Sequence, residues 1–300
     1  MTALSHEGTS DPLPSLHARH LRRTTCDTRI RQVARLTRIA LALLTITLLP
    51  ATLHAQDSKI GNLNGRAKHG KDLYQRYCIG CHGIKGDGQG ENAPFIDPKP
   101  RDFTLGIFKC RSTPTGSLPL DRDLYDTIGR GLDRSNMPQW LPLSPQERAD
   151  LVAYIKSFSP RFRTEKIDPP VPIPAETPNT PESIQRGQVL YQSKIKCQQC
   201  HGTTGAGDGP SALSLRDDKD NLVVPYQFDS PTRFKCGSTN ADLYRIFMTG
   251  IDGTPMPSYI DFIKPDEAWD LVHYLRSLQN GAKQPPTPTT TTTATTAPGK

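Results

Sequence analysis

The chain has 300 residues, a formal net charge of +7, 35% hydrophobic and 7% aromatic residues, 28 prolines and 23 glycines. This length indicates about two domains, and the low apolar content indicates that something other than side chains fills part of each core. Residues 1–55 contain seven arginines and three acidic residues, so they carry +4 of the net +7, and no run of Lys or Arg occurs outside them. The composition therefore gives no support for a nucleic-acid-binding protein.

Residues 1–55 have the pattern of a signal peptide. Seven arginines between Arg19 and Arg38 precede an apolar stretch from Ile39 to Leu53, and Leu53-His54-Ala55 is an imperfect small-residue cleavage site. An uncleaved membrane anchor is the alternative, but an anchor needs roughly 20 apolar residues and this stretch is shorter. We therefore expect cleavage, export and a periplasmic location, where disulfides persist.

Residues 56–158 form the first of two predicted domains. A helix containing Gly70 precedes the motif Cys78-Ile79-Gly80-Cys81-His82, and a long loop follows the motif. Ser144-Pro145-Gln146-Glu147 is a capping box with proline at the first helical position, so it predicts the start of a C-terminal helix. The apolar residues of this helix recur at the spacing of one helical face; they are Leu151, Tyr154, Ile155 and Phe158.

Residues 159–182 are dense in proline and predict an extended, semi-rigid linker of the polyproline type. Residues 183–279 then repeat the first domain. Gly187 lies 117 residues after Gly70, and the motif Cys197-Gln198-Gln199-Cys200-His201 lies 119 residues after its counterpart. Residues 280–300, rich in threonine and proline, predict a disordered tail.

Each Cys-x-x-Cys-His motif contains what covalent haem attachment requires. Two cysteines three apart in a turn present both sulfurs on one side, matching the two vinyl groups of haem, and the next histidine directs its imidazole at the iron. Zinc sites and thioredoxin-like pairs also use Cys-x-x-Cys, but a zinc site needs four ligands with short gaps between the pairs. Here the pairs lie far apart, and each is followed by histidine. The sequence therefore predicts two covalently bound haem c groups, held by Cys78, Cys81 and His82 and by Cys197, Cys200 and His201.

The distal iron ligand follows by elimination. Met137 and Met256 each precede proline, and each lies 56 residues after the second cysteine of its motif. Met248 lies on a predicted helix, so we expect it in the core. His69 and His273 have no histidine counterpart in the other repeat. We therefore predict His/Met ligation at both irons, which leaves no open position for a substrate.

Cys110 and Cys236 occupy similar contexts, each at the end of a Phe-Lys-Cys segment. They form either a disulfide between the two domains or two buried free thiols. An oxidising compartment favours pairing, but pairing also requires Cα atoms within about 7 Å of each other. The sequence leaves both alternatives open.

Together these features resemble the class I cytochrome c family, present twice in tandem. The resemblance covers about residues 60–158 and 183–279 and rests on the two motifs, the glycines after them, the Met-Pro pairs and the paired helices. It implies an all-α fold of two small domains, each wrapped around one haem, with the first and last helices of each domain crossing near Gly70 and Gly187. The stretch from Pro100 to Pro119 is also similar to exported cytochromes that accompany respiratory oxidoreductases.

Two functions of different class are compatible with this pattern. The one we favour is an electron carrier or electron-transfer subunit, not an enzyme, that passes electrons one at a time between respiratory redox partners. The expected partners are a respiratory oxidoreductase or oxidase and other cytochromes, and peripheral association with a membrane complex is compatible with this role. We expect Lys109 and Lys235 near the haem edges, either as solvated surface charges or as charges that guide docking. The alternative is a dihaem peroxidase-like enzyme in which one haem opens to substrate, but the equal Met-Pro pairs argue against it.

Overall fold

Helices account for nearly all regular structure in residues 58–229 and 233–280, which are the residues that the computed structural model describes. These residues belong to one compact unit, Ala55–Lys300. The expectation of an all-α fold is confirmed, apart from one small hairpin that the sequence pattern did not predict. The predicted signal peptide, 1–55, and nearly all of the predicted tail, 280–300, lie outside the described residues.

The first domain begins with the hairpin, in which β1 (Ser58–Ile60) pairs antiparallel with β2 (Leu63–Gly65). Its helices are α1 (Ala67–Tyr77), α2 (Ile79–His82), α3 (Asp121–Arg130) and α4 (Pro145–Lys156), with a 3-10 turn at Ala93–Phe95. A further helical turn, α5 (Arg161–Thr164), follows at the start of the linker.

The second domain repeats this order without the hairpin. Its helices are α6 (Pro181–Val189), continued by a π turn at Leu190–Lys194, then α7 (Gln198–His201), α8 (Asn240–Thr249) and α9 (Pro265–Gln279), with a 3-10 turn at Ala212–Ser214. None of these helices, nor any other in the described part of the chain, is long and apolar enough to span a bilayer.

The capping box predicted at the start of α4 is present. Glu147 N donates to Ser144 Oγ at 3.3 Å, and Ser144 N donates to the Glu147 carboxylate at 2.8 Å, so two otherwise unpaired amides are satisfied. Thr239 and Asp242 form the same reciprocal pair at the start of α8. These caps fix where the helices begin, and therefore which residues face the core.

In each domain the first long helix crosses the last at a glycine. A Cβ atom at Gly70 would lie 1.9 Å from the carbonyl oxygen of Asp150, and one at Gly187 would lie 2.0 Å from that of Asp270. Only a residue without a side chain allows the two backbones to approach so closely. Tyr74 on α1 packs against Tyr154 of α4, with ring centroids 5.3 Å apart, beside this crossing.

The predicted linker, 159–182, is only partly extended. Its first residues form α5, because Phe162 is buried in the core of the first domain and its ring packs against Phe108. Val171 is buried in the core of the second domain, and its amide donates to the carbonyl of Ser112 at 2.8 Å. The linker therefore contacts each domain through a buried side chain, Phe162 in the first and Val171 in the second.

Covalent and polar contacts join the two domains. Cys110 and Cys236 form a disulfide, which decides between the two alternatives that the sequence left open. Next to it, the guanidinium of Arg111 donates to the carbonyl of Thr249 at 2.6 Å and pairs with Asp252 at 2.8 Å. The contact surface therefore includes the loop that follows each haem motif.

Candidate haem-binding sites

The first Cys-x-x-Cys-His motif occupies a single helical turn after α1. That helix ends at Tyr77, and Cys78 then serves as the N-cap of α2. Positions i, i+3 and i+4 of a helical turn share one face, so Cys78, Cys81 and His82 are directed to the same side. Gly83, with a φ of 74°, ends the turn in a backbone conformation that favours glycine.

The second motif has the same local structure. Cys197 precedes α7, and Gly202, with a φ of 79°, ends it. A tyrosine hydroxyl from the preceding helix fixes this glycine in both domains, since Tyr74 Oη donates to Gly83 O at 2.7 Å and Tyr191 Oη donates to Gly202 O at 2.6 Å. The repeated tyrosines were visible in the sequence, but their bond to the haem turn was not predicted.

All four motif cysteines are free and partly buried. Burial, with the neighbouring Cys81 adding to it, raises the pKa of Cys78 to about 12, and burial raises the pKa of Cys197 to about 12. A thioredoxin-like pair relies on a thiol of lowered pKa, so the motif environment does not match that alternative. In addition, no group of three or more His, Cys, Asp or Glu side chains within the described residues could hold a metal ion, as a zinc site would require.

Both motif histidines are held in one orientation by a backbone carbonyl. His82 Nδ1 lies 3.0 Å from the carbonyl oxygen of Arg101, and His201 Nδ1 lies 2.9 Å from that of Tyr226. A proton on Nδ1 makes this hydrogen bond and leaves Nε2 as the free lone pair, which is the usual arrangement of a metal-binding imidazole. Burial lowers the pKa of each histidine, which favours the neutral ring.

The methionine loops are tied back to the preceding helix in the same way in both domains. Trp140 N donates to Ile128 O of α3 at 3.1 Å, and Tyr259 N donates to Phe247 O of α8 at 2.8 Å. Within each loop, a backbone amide also donates to the methionine carbonyl at 3.1 Å, from Leu132 to Met137 and from Ile251 to Met256. Each loop also packs against the glycine that ends the helix, because a Cβ atom at Gly131 would lie 2.7 Å from the backbone of Pro138. The position of each methionine therefore depends on backbone contacts and not only on its side chain.

In the first domain the predicted haem residues line one pocket. Cys78, Cys81, His82 and Met137 all contribute to it, and Phe103, which stacks on His82 at 4.4 Å between centroids, forms part of its wall. The empty space between the lining residues, including the part that opens to solvent, is about 1120 Å³.

In the second domain Cys197 and Met256 pack against the same apolar core. His201 packs against Phe228 at 4.5 Å between ring centroids, as His82 packs against Phe103. Tyr259, three residues after Met256, lies close enough to Cys197 and Cys200 to interact with them electrostatically. Both domains therefore bring the predicted residues to equivalent places.

The three residues that were excluded as iron ligands have other contacts. His69 Nδ1 lies 2.6 Å from the carboxylate of Asp150, and His273 is buried beside Ser183 and Glu176. Met248 is 4% exposed and packs in the core of the second domain, as predicted.

The residues present fit haem c. The first pocket contains two unpaired thiols and an oriented neutral imidazole, and a methionine sulfur completes the donor set. Trp140 also lines this pocket, and its buried indole nitrogen has no hydrogen-bond partner among the described residues, as expected where a further group completes the site.

Comparisons with known proteins agree with this geometry. The cytochrome c family model matches residues 67–159 and 184–279, more than half of the chain. No curated protein sequence gives a significant match. Among solved structures, the chain is similar to a chain of the Kuenenia stuttgartiensis reducing HAO-like protein complex Kustc0457/Kustc0458, with 42% sequence identity and a TM-score of 0.69 over 71% of this chain and 96% of that chain. The protein therefore belongs to the cytochrome c family, with two family domains in tandem.

Proposed function

We propose that this protein is an electron-transfer cytochrome with two covalently bound haem c groups, one attached at Cys78 and Cys81 and the other at Cys197 and Cys200. The observation that carries the proposal is the repetition of one complete donor arrangement. Both domains place a thiol pair and a histidine on one turn, hold the histidine Nδ1 at a backbone carbonyl, and tie a Met-Pro loop to the preceding helix. A haem electron-transfer role is also that of the family.

The proposed axial ligands are His82 and Met137 for the first iron and His201 and Met256 for the second. A methionine and a histidine together fill both axial positions and raise the reduction potential relative to two histidines. Such an iron gains or loses one electron with little rearrangement. This ligation supports an electron carrier rather than a dihaem peroxidase-like enzyme, in which one iron must open to its substrate.

We infer that the redox partner is another protein, and that an HAO-like protein is the best candidate. The support is the 42% identity to a chain of the reducing HAO-like protein complex, which extends over 96% of that chain. We further propose that the protein is exported to the periplasm and acts there in respiratory electron transfer. The Cys110–Cys236 disulfide supports this location, because structural disulfides persist in oxidising compartments.

Visible absorption of the exported protein, oxidised and reduced, with haem counted per chain, tests the proposal. We expect two low-spin haems and the weak red band of methionine sulfur on ferric iron. Met137→Ala and Met256→Ala should each remove part of this band, and Met248→Leu, a volume-conserving change in the core, should leave it intact. One high-spin haem, or a band that neither alanine variant alters, would reject the ligand assignment and favour the peroxidase-like enzyme.

A further inference from the structure

Two lysines at equivalent positions meet in the haem pocket of the first domain. Lys109 precedes Cys110, and Lys235 precedes Cys236, so the disulfide holds the two lysines near each other. Both line the pocket that contains His82, although Lys235 belongs to the second domain. The sequence predicted both lysines near the haem edges, and they do line the haem pocket, but they are half-buried where the domains meet and are not solvated surface charges.

The lysine charges are not neutralised by the polypeptide. Within residues 58–229 and 233–280, neither Nζ atom forms an ion pair or a hydrogen bond. Other cations of the pocket lining do have partners, since Lys99 donates to two backbone carbonyls and Arg101 pairs with Asp218 at 3.7 Å. Lys109 and Lys235 therefore differ from Lys99 and Arg101 in having no hydrogen-bond or ion-pair partner among the described residues.

The surroundings oppose the charged form of both lysines. Burial, followed by repulsion from Arg101 and Lys235, lowers the pKa of Lys109 to about 8. Burial also lowers the pKa of Lys235, with Arg101 adding to the effect. The acidic side chains that face them at longer range do not offset this; they are Asp217 and Asp218 for Lys109, and Asp133 and Asp97 for Lys235.

Half-buried cations without partners cost free energy unless an anion joins them. Haem carries two propionate carboxylates, and the pocket that these lysines line is the one in which the haem residues meet. Two ammonium groups match two carboxylates in charge, and such charge-assisted hydrogen bonds are stronger than neutral ones.

We propose that Lys109 and Lys235 bind the propionates of the first-domain haem, so that a residue of the second domain completes the haem site of the first. This inference rests on the haem attachment proposed above. A cation held beside the haem stabilises the reduced iron, because reduction adds a negative charge. The potential of the first haem therefore depends on the contact between the domains.

Redox titration followed by absorption tests this inference on the full-length protein with both haems attached. Met137→His and Met256→His identify the step of each haem, because replacing methionine with histidine lowers the potential of that iron. Lys235→Gln should then lower the first-domain potential by about 59 mV, a tenfold change in the one-electron equilibrium constant. Lys109→Gln should act in the same direction, and Lys235→Arg should keep the wild-type value.

The matched control is Lys264→Gln, which removes an exposed lysine of the same domain. It should shift neither potential. If Lys235→Gln shifts the first haem no more than this control does, or shifts only the second haem, the inference is overturned. The haem count of the same samples reports separately on attachment, so a protein that lacks a haem would reject the proposed function rather than the role of the lysines.

Discussion

Cys110 and Cys236 are joined across the two domains, with their Cα atoms 5.1 Å apart and a sequence separation of 126. The separation lies within the normal range for a disulfide, about 4.4–6.8 Å. Arg111, the next residue after Cys110, bonds to Thr249 and Asp252 of the second domain. The Cys110–Cys236 disulfide therefore lies within a packed contact and fixes one domain against the other.

Removing this disulfide should destabilise the protein strongly. Because the bond closes a long loop, it restricts the unfolded chain, and the double variant Cys110→Ser/Cys236→Ser should lose about 3–5 kcal/mol of unfolding free energy. Denaturant unfolding followed by haem absorption and circular dichroism measures the change. Wild-type protein treated with a reductant should match the double variant, and a loss below about 1 kcal/mol would contradict the prediction.

The helix crossings at Gly70 and Gly187 should not accept even a methyl group. In Gly70→Ala the new Cβ would meet the backbone carbonyl of Asp150 at 1.9 Å, so α1 and α4 must move apart. We expect a loss of about 3 kcal/mol or more in unfolding free energy, at the upper end of overpacking costs. Gly187→Ala should behave similarly, because its Cβ would lie 2.0 Å from Asp270 O.

Gly129→Ala is the matched control for the crossings. Gly129 also lies within a helix, but its nearest neighbour is the flexible end of Arg148 at 3.3 Å, which can move. Since alanine favours helices over glycine by about 1 kcal/mol, this variant should be neutral or slightly stabilising. Equal losses in all three alanine variants would show that the close backbone approach is not the cause.

Much of the candidate site was predictable because its residues carry distinctive local patterns. The haem motifs, Met137 and Met256 were predicted from the repeated spacing and, for the methionines, by elimination of the other candidate ligands. The start of α4 followed from Ser144 and its capping partner, which are neighbours in sequence. Residues that are close in sequence determine such features, so they can be recognised without the tertiary structure.

Other parts of the site depend on tertiary packing and had no sequence signal. The carbonyls that orient the motif histidines belong to Arg101 and Tyr226, and a backbone carbonyl can come from any residue type. The position of Lys235 in the first-domain pocket exists only once the domains meet. Residues 161–164 form a helical turn within the proline-rich linker because the Phe162 side chain packs in the core of the first domain.

Asp150 should make the stability of the first domain depend on pH. Its side chain is fully buried, and burial alone would raise its pKa, but hydrogen bonds from Arg66 and His69 outweigh this and lower the pKa from 3.8 to about 2. A carboxyl with a lowered folded-state pKa stabilises the protein above its unfolded pKa and loses that effect as pH falls through the folded value. We expect a loss of about 2 kcal/mol between about pH 4 and pH 2, measured by denaturant unfolding.

Asp150→Asn should remove this pH dependence and destabilise the protein at neutral pH, because Arg66 and His69 lose the buried carboxylate with which they pair. Asp126→Asn is a suitable control, since Asp126 forms only a more exposed pair with Arg122. If the two variants have the same unfolding profile between pH 2 and pH 5, Asp150 does not carry the effect.

The two haems should titrate in two separate steps, with the higher potential in the first domain. Their surroundings differ, because Trp140 lines the first pocket whereas Tyr259 occupies the equivalent position in the second domain. The two lysines of the first pocket should raise its potential further, since they stabilise the added electron. Met137→His should therefore lower the higher step, and Met256→His the lower one, in a spectroscopic redox titration. A single potential that fits both haems would contradict this prediction. The reverse order of effects would also contradict it, because the haem stabilised more by nearby cations would then be the one in the second domain.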